Sequence, residues 1–256
     1  MKHTIQPAIF LGHGSPMNAL EDNQFTAVWQ ALGARFQPKA ILVISAHWMT
    51  SAVAVTAMSQ PKTIHDFGGF PPALFAAQYP APGSPELAQR VAQLLAPMHV
   101  HQDHAWGLDH GCWSVLMKMY PAADIPVVQL SLNMNEAEAF HFSLGQRLAS
   151  LRDEGVMILA SGNVVHNLRR LDPSVAGFEW AQTFNQHIRN AIENQDFAAV
   201  IDYAQFGNEA RLSVPTVEHY LPLLYVLGAK RDTDHVEFFC DELVMGSISM
   251  MSLVIA

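Results

Sequence analysis

Residues 40–48 read AILVISAHW, and this stretch decides the fold. A six-residue run, AILVIS, is apolar except for its final serine, and a histidine follows two positions later. Continuous runs of this kind, rich in branched side chains, are typical of strands buried on both faces of a parallel sheet. The same pattern recurs at residues 8–11 (AIFL), 127–132 (VVQLSL) and 156–160 (VMILA). Together these runs predict a mostly buried central sheet.

Segments in which apolar residues recur at helical spacing separate these strands. One of them begins at Ser84-Pro85-Glu86, where serine suits the N-cap and proline the first helical position. Helices are predicted over residues 23–35, 84–95, 112–119, 136–153 and 218–227, and residues 177–204 are predicted to form one or two more. Residues 52–57 and 246–255 are predicted as further strands. This alternation predicts an α/β fold with helices on both faces of the sheet. Without a repeat or a linker, the length indicates a single domain, residues 1–256.

The composition excludes several classes of protein. The chain has 14 Lys and Arg against 23 Asp and Glu, a net charge of −9, and therefore lacks the basic surface that phosphate contacts require. No apolar run approaches the ~20 residues of a membrane span, and the N-terminal apolar stretch is too short for a signal peptide. Two cysteines, Cys112 and Cys240, form neither a disulfide framework nor a thiolate cluster. We therefore expect a cytoplasmic protein with no nucleic-acid or membrane partner, and the sequence leaves its oligomeric state open.

Four histidines stand in short, distinctive motifs. His13 lies in LGHGSP, His47 in SAHW, His166 in SGNVVHN and His219 in PTVEHYLP. The first three follow predicted strands, and ligands bind beyond the carboxyl ends of the strands in such sheets. Each histidine taken alone could be an ordinary residue of a turn or of the core. Their repeated placement favours a shared metal site, with all four histidines as candidate ligands.

Three further positions have competing interpretations. Glu218 could be a metal ligand or an acid that complements a helix dipole; because neighbouring residues point in different directions around a helix, we favour His219 over Glu218. His110, in DHGCW, could bind a substrate hydroxyl or carry a proton. His65 and Asp66 lie in the loop of residues 58–83, whose aromatic side chains are expected to be buried, and there a structural role is the simpler interpretation.

The histidine set favours catalysis over a structural role. Neutral imidazole suits zinc, iron, copper and nickel, and a site without thiolates that keeps open positions is typical of catalytic metals. Zinc would indicate a hydrolase, and ferrous iron an oxygenase. Serine catalysis is a poor fit, because Ser15 does not lie in a G-x-S-x-G elbow, and the phosphate and dinucleotide fingerprints are missing.

The motifs, taken in order, resemble those of a known enzyme family. LGHGSP, SAHW, IHDFGGFP, WGLDHGCW, SGNVVHNLR and PTVEHYLPLLYVLGA closely resemble extradiol ring-cleavage dioxygenases of the DOPA 4,5-dioxygenase type, which are related to the catalytic subunit of protocatechuate 4,5-dioxygenase. The resemblance extends from about residue 8 to the C-terminus. It implies an α/β fold, a nonhaem metal, and a small catecholic substrate that reacts with dioxygen to give a muconic semialdehyde. A zinc-dependent hydrolase and a non-catalytic binding protein of the same fold are the alternatives.

The resemblance also implies roles for individual residues. The metal-site histidines of the family correspond to His13, His47, His166 and His219, with Fe(II) for catalysis and Zn(II) as a metal that the isolated protein could hold. In the protocatechuate-type relatives a glutamate completes the site and a histidine of the SGNVVH region acts as base. The third ligand here is therefore either His219 or Glu218, and His166 is either a ligand or the general base. His110 is a second candidate for proton transfer. Phe67, Phe70 and Trp48 are expected to wall the substrate ring, and Arg169 and Arg170 either meet a substrate carboxylate or form a solvated helix face.

Overall fold

A computed structural model describes residues 5–256, and His3, a histidine without an assigned role, lies outside that range. Ten strands are present in the described part: β1 (Ala8–Gly12), β2 (Ala40–Thr50), β3 (Ala54–Thr56), β4 (His101–Asp103), β5 (Val127–Asn133), β6 (Val156–Gly162), β7 (Val236–Phe239), β8 (Leu243–Val244), β9 (Ile248–Ser249) and β10 (Ser252–Ile255). The α-helices are α1 (Gln24–Arg35), α2 (Pro72–Ala76), α3 (Pro85–Leu94), α4 (His110–Met119), α5 (Glu138–Leu148), α6 (Glu179–Glu193), α7 (Phe197–Ile201), α8 (Gly207–Ser213) and α9 (Leu221–Gly228). Short 3-10 helices cover Pro16–Ala19, Ala149–Glu154, Leu168–Arg170 and Tyr203–Phe206.

The four apolar runs form the centre of one large sheet. Within residues 5–256 this sheet has eight strands in the order β4-β3-β5-β2-β6-β1-β10-β7. Strands β5, β2, β6 and β1 are parallel, so their carboxyl ends lie at one edge. Strand β10 pairs antiparallel with β1 and with β7. The order of strands in the sheet differs from their order along the chain, since β5 and β6 lie on either side of β2. In sheets of this kind, ligands bind in a crevice at the carboxyl edge, where the strand order reverses.

Both faces of the sheet are covered by helices. Alternate residues of the central strands contribute to two separate apolar cores. Residues such as Phe10 and Leu42 pack against α3, α5, α6 and α9, whereas Ile9 and Ile41 pack against α1 and α4. The predicted α/β fold, with a buried central sheet between two helical layers, is confirmed.

Helix starts agree with the capping residues in the sequence at α3 but not at α9. Helix α3 begins as predicted, because the Ser84 hydroxyl accepts a hydrogen bond from Leu87 N at 3.1 Å and Pro85 takes the first position. Helix α9 begins later than predicted, at Leu221, because residues 217–220 form a turn. His219 therefore lies in the turn that precedes the helix.

Several strands differ from the prediction. Strand β2 continues to Thr50 through an irregular register after Ile44, so His47 lies inside the strand instead of following it. The predicted closing strand at residues 246–255 is divided into β9 and β10. Strands β4, β7 and β8 do not follow from the sequence, because their short segments, HQD, VEFF and LV, carry no clear alternation.

The segment between β3 and α3, predicted as a loop, contains the short helix α2 and is only partly buried. Tyr79 is buried, as expected, and its hydroxyl donates to the backbone oxygen of Tyr120 at 3.0 Å. Phe75 is 42% exposed, which contradicts the expectation that it is buried. Phe67 and Phe70 are partly buried and face the cavity described below. No helix within residues 5–256 is long and apolar enough to cross a membrane.

Candidate metal centre and active site

Three histidines from distant parts of the chain meet at the carboxyl edge of the sheet. The ring centroids of His13, His47 and His219 are 5.0–5.4 Å apart. Their ligand atoms lie within 4.8 Å of one another, close enough for all three to bind one ion. His13 and His219 are buried and His47 is half-buried, so the group lies at the bottom of a crevice and not on the open surface.

The local backbone explains how His13 reaches this position. It directly follows β1, and its N–H donates to Gly162 O at 3.1 Å, which extends the pairing of β1 with β6 by one residue. Gly12 passes so close to Met250 that an added Cβ would lie 2.7 Å from the backbone carbon of that residue. Gly14 has a φ of +59°, the left-handed region that favours glycine. The GHG sequence therefore allows the chain to turn sharply and present the imidazole.

His219 is held against the end of β6. Its carbonyl oxygen accepts a hydrogen bond from Asn163 N at 2.8 Å, and the same oxygen would collide with a Cβ at Gly162. The SGN sequence of residues 161–163 thus allows the backbone of His219 to approach the end of β6 closely, in addition to favouring a turn. In this way one short segment after β6 fixes the backbone of a residue more than fifty positions later.

The outer ring nitrogens of two of these histidines have hydrogen-bonding partners. His219 Nδ1 lies 3.2 Å from Glu218 Oε1, and His13 Nδ1 lies 2.9 Å from Ser161 Oγ. A carboxylate can only accept, so Nδ1 of His219 carries the proton and Nε2 keeps a lone pair. Such partners outside the ligand set are typical of histidines that bind metals.

The spacing of the inner nitrogens fits a shared metal. His13 Nε2 and His47 Nε2 are 3.3 Å apart. Two nitrogens bound to one tetrahedral ion at ~2.0–2.1 Å would stand about 3.3–3.4 Å apart. Neutral imidazoles are also the form that binds metals. The donor set present therefore fits a nonhaem metal ion.

Burial keeps these imidazoles neutral. Desolvation, followed by the proximity of the other histidines, lowers the pKa of His13 and of His219 well below the usual value. Desolvation and the neighbouring His110 lower the pKa of His47 to about 3, although Asp66 acts in the opposite direction. Burial likewise lowers the pKa of His166 to about 4. The cluster is therefore available as lone-pair donors at neutral pH.

His110 and Asp66 form a pair beside the three histidines. The Asp66 carboxylate accepts from the backbone N–H of His110 at 2.8 Å and lies 2.9 Å from His110 Nδ1. Burial acts to raise the pKa of Asp66, but these hydrogen bonds and the nearby imidazole outweigh it and the pKa is lowered. His110 begins α4, and its ring centroid is 3.8 Å from that of His47. The Asp66 contact engages Nδ1 of His110, which leaves Nε2 as the ring nitrogen available to a molecule in the cavity.

Asp109 stabilises the start of α4 as its N-cap residue. It is fully buried, caps the helix by accepting from Cys112 N at 3.1 Å, and accepts from Ser45 Oγ and Gln129 Nε2 at 2.7 Å each. Burial raises the pKa of its carboxyl group. Because Ser45 lies in β2 two residues before His47, this network links the positions of His47 and His110.

His166 lies against His219, outside the group of three. The two rings stack with centroids 3.4 Å apart and planes 9° apart. The ligand atom of His166 groups with those of Glu218 and His219, not with those of His13 and His47. Glu218 Oε1 is already engaged by Thr216 Oγ1 at 2.8 Å and by His219 Nδ1.

A cavity of about 460 Å³ opens above the histidines. All five histidines of the site line it, together with Asp66 and the rings of Phe67 and Phe70. The lining also includes apolar side chains, those of Leu168, Leu171, Val244, Met245 and Ile248. The volume suits a small aromatic molecule, and the lining combines polar side chains with apolar ones.

The site contains residues that the sequence did not indicate. The sequence favours a structural role for Asp66 and carries no signal at Ser161, because neither residue type stands out in a loop or after a strand. Trp48 does not line the cavity; it is buried and stacks on Trp106, with ring planes 4° apart. Arg169 and Arg170 are exposed and lie outside the cavity lining, which agrees with a solvated face.

Comparison with known proteins gives consistent results. Residues 7–255 match the family described as the catalytic LigB subunit of aromatic ring-opening dioxygenase. The chain is 51% identical over 265 residues to the 4,5-DOPA dioxygenase extradiol of Escherichia coli K12, covering 100% of this chain and 96% of that protein. It is 41% identical to the 4,5-DOPA dioxygenase extradiol of Beta vulgaris, covering 91% and 90%. A crystal structure of an uncharacterized E. coli K12 protein superposes with a TM-score of 0.85 at 47% identity, covering 98% of this chain and all of that one.

Proposed function

Since this chain belongs to the family of the catalytic LigB subunit of aromatic ring-opening dioxygenases, we propose that its cavity opens the ring of a DOPA-like or other substituted catechol. The reaction consumes dioxygen and cleaves the ring beside the two hydroxyl-bearing carbons, which gives a muconic semialdehyde. The observation that carries this proposal is the convergence of His13, His47 and His219 beneath a cavity of aromatic size.

The ligand set that we propose is His13, His47 and His219. Their donor atoms converge, two of the three outer ring nitrogens are hydrogen-bonded, and their surroundings keep them neutral. Fe(II) is the catalytic metal in this proposal. It supplies Lewis acidity toward the catechol hydroxyls and the redox chemistry that dioxygen requires. Zn(II) suits the same imidazoles, so protein isolated with zinc is expected to be inactive until the metal is exchanged.

Proton transfer is assigned to His166 and His110. His166 stands outside the converging group and its lowered pKa leaves it unprotonated, which favours the role of a base that accepts a catechol proton. His110 returns a proton as the ring opens, and Asp66 holds its Nδ1 so that Nε2 faces the substrate side. Loss of either imidazole is expected to reduce the rate by about 10²–10⁴-fold.

The walls of the cavity position the ring and limit water. Phe67 and Phe70 pack edge-to-face, 5.4 Å apart, and Phe67 also lies 5.5 Å from the ring of His110. A flat substrate ring between these walls and the histidines is held with its hydroxyls toward the base of the cavity. Exclusion of water there strengthens each polar contact.

The test is reconstitution under anaerobic conditions. The apoprotein receives Fe(II) and a catechol such as DOPA or caffeate, and air is then admitted. Stoichiometric oxygen uptake with a yellow ring-fission product is the expected result. No uptake across a panel of catechols, with Fe(II) shown to be bound, would overturn the proposal and leave a zinc hydrolase or a binding protein.

Variants separate the metal ligands from the proton carriers. His13→Ala and His47→Ala are expected to abolish metal binding. His166→Gln should retain the metal and lose the rate, since its donor atom lies outside the converging group. A His13→Ala protein that still binds a full complement of metal would remove that residue from the ligand set, and a metal-free His166→Gln protein would add His166 to it.

The cytoplasmic location expected from the cysteine content stays a prediction.

A further inference from the structure

We propose that Glu218 is a positioning residue that does not bind the metal itself but sets the donor strength of His219. Through His219 it controls the affinity and the reduction potential of the bound metal. The inference rests on the proposed function, because it takes His13, His47 and His219 as the ligand set. It gives one role to a residue for which the sequence left two open, metal ligand and helix-dipole acid.

The three proposed ligands differ in what their outer ring nitrogens meet. Nδ1 of His219 lies 3.2 Å from Glu218 Oε1, so this imidazole donates to a carboxylate. Nδ1 of His13 lies 2.9 Å from the neutral hydroxyl of Ser161. The carboxylate beside His47 is 3.7 Å from Nδ1 of that ring, which is beyond hydrogen-bonding distance. His219 is therefore the proposed ligand that has an anionic hydrogen-bond acceptor.

The turn before α9 lets two adjacent side chains meet. Residues 217–220 form a turn closed by a backbone hydrogen bond of 2.9 Å between its ends. Thr216 Oγ1 donates to the same Oε1 of Glu218 at 2.8 Å, which holds the carboxylate beside the imidazole. The Glu218 carboxylate groups with His219 but not with the other two proposed ligands, and it does not line the cavity. Glu218 therefore acts on the metal through His219 and does not touch the substrate.

Other contacts already hold the His219 ring in place. Its carbonyl oxygen accepts from Asn163 N at 2.8 Å, and its ring face stacks on His166 with centroids 3.4 Å apart. Because the backbone and the ring face are fixed without Glu218, the separate contribution of the carboxylate is at Nδ1. It keeps the proton on Nδ1 and raises the basicity of Nε2, the nitrogen left for the metal.

A carboxylate at this nitrogen affects a bound metal in two ways. A more basic imidazole binds the ion more tightly, and loss of such a partner lowers metal affinity by about 10–100-fold. The negative charge also favours Fe(III) over Fe(II), because Coulomb attraction grows with the charge of the ion. Removal of the charge should therefore weaken Fe(III) binding more than Fe(II) binding. Each tenfold difference between these two losses raises the reduction potential by about 59 mV.

The test compares Glu218→Gln and Glu218→Ala with the wild type in the absence of a catechol. Zinc affinity is measured by competition with a chelator, and the reduction potential of the iron-loaded protein by mediated titration under argon. We expect about a tenfold loss of affinity in Glu218→Gln, whose amide oxygen still accepts from Nδ1, and a larger loss in Glu218→Ala. The reduction potential should rise in Glu218→Gln, whereas urea unfolding of its apoprotein should match the wild type.

Two control variants separate this contact from general effects. Glu86→Gln removes the same charge from an exposed position of α3, and zinc affinity should stay within twofold of the wild type. Ser161→Ala removes the neutral partner of His13. It should weaken zinc binding but change the reduction potential less than Glu218→Gln does, because no charge is lost.

A crystal structure of the zinc-loaded wild type shows directly whether Glu218 is a ligand. We expect its carboxylate on Nδ1 of His219, and a bond between zinc and Glu218 would overturn the proposal. Zinc affinity within twofold of the wild type in both Glu218 variants, or an equal loss in Glu86→Gln, would overturn it as well. An unchanged or lower reduction potential in Glu218→Gln would overturn the effect of the charge.

These outcomes are independent of the proposed reaction, because no measurement uses a catechol or dioxygen. Weakened zinc binding and a raised reduction potential in Glu218→Gln, together with an iron-loaded wild type that takes up no oxygen, would support the role of Glu218 and overturn ring cleavage. Oxygen uptake by the wild type with unchanged metal binding in both Glu218 variants would overturn the role of Glu218 alone.

Discussion

Gly111→Ala is expected to weaken metal binding although it adds only one methyl group at the second residue of α4. A Cβ at this position would lie 2.8 Å from His47 Cδ2 and would overlap with the hydroxyl of Ser45. An ordinary contact is 3.4–4 Å, so the His47 ring would have to move by about 0.6 Å or α4 would have to withdraw. Movement of the ring carries Nε2 of His47 away from its position 3.3 Å from His13 Nε2, and withdrawal of α4 pulls on β2 through the hydrogen bond between Asp109 and Ser45.

The magnitude follows from two effects. Displacement of Ser45 weakens its 2.7 Å hydrogen bond to the buried Asp109, at a cost of ~1–3 kcal/mol. Alanine gains up to ~1 kcal/mol over glycine in a helix, which offsets part of that cost. The net loss of unfolding free energy is therefore small, but misplacement of a ligand through its supporting groups lowers metal affinity by about 10–100-fold. Metal affinity is the sharper measurement.

The assay is competition for the metal with a chelator of known affinity, combined with urea unfolding of the apoprotein. Gly68→Ala is the control, because a Cβ there meets no atom within 4 Å and the residue lies in the loop that carries Asp66. Wild-type metal affinity in Gly111→Ala would refute the argument that the close approach of α4 positions His47.

The remaining predictions concern the buried ion pair and the Asp66 contact. Arg152→Met should lower the free energy of unfolding in urea by about 3–5 kcal/mol, because the buried guanidinium bridges Asp234 at 2.5 Å and three backbone carbonyls; a loss below ~1 kcal/mol would contradict this. Burial acts to raise the pKa of Asp234, but hydrogen bonds from Arg152 and the Arg231 backbone lower it overall, so its stabilisation holds above the ordinary value of 3.8 and is lost as the pH falls through the lowered pKa. The free energy of unfolding should therefore fall more steeply below pH ~4 in the wild type than in Asp234→Asn. The same pH dependence in both proteins would contradict a stabilising role of the Asp234 carboxylate. Asp66→Asn should lower kcat by about 10²–10⁴-fold with metal affinity little changed, measured by oxygen uptake and chelator competition; an unchanged kcat would remove Asp66 from the positioning of His110.

Much of the frame could be predicted from local signals. The runs AIFL, AILVIS, VVQLSL and VMILA became strands β1, β2, β5 and β6, since strands buried on both faces need no alternation. The predicted arrival of His13 and His166 after strand ends also holds. The resemblance to ring-cleaving dioxygenases, carried by the ordered motifs, is confirmed by the family match.

Errors occurred where a long-range contact overrides a local pattern. His47 lies inside β2 because the irregular pairing with β5 extends the strand beyond its apolar run. Helix α9 was expected to include Glu218, but the turn that carries His219 is tied to the segment after β6. Phe75 was expected in the core, but it lies in the short helix α2, whose five residues carry too little periodicity to indicate which ring faces inward.

The sequence by itself determined the class of fold, the family and the candidate histidines of the site, because apolar runs and motif order are local properties of the chain. Only the tertiary structure decided which of those histidines converge on one point and which lie beside them. It brought His13, His47 and His219 together, stacked His166 on the outer side of His219, and joined His110 to Asp66. It also supplied Ser161 to His13 across 148 residues of sequence. The physical reason is that ligand geometry and hydrogen-bond partners depend on distances between separate elements, and those distances are set by how the sheet and its helices pack.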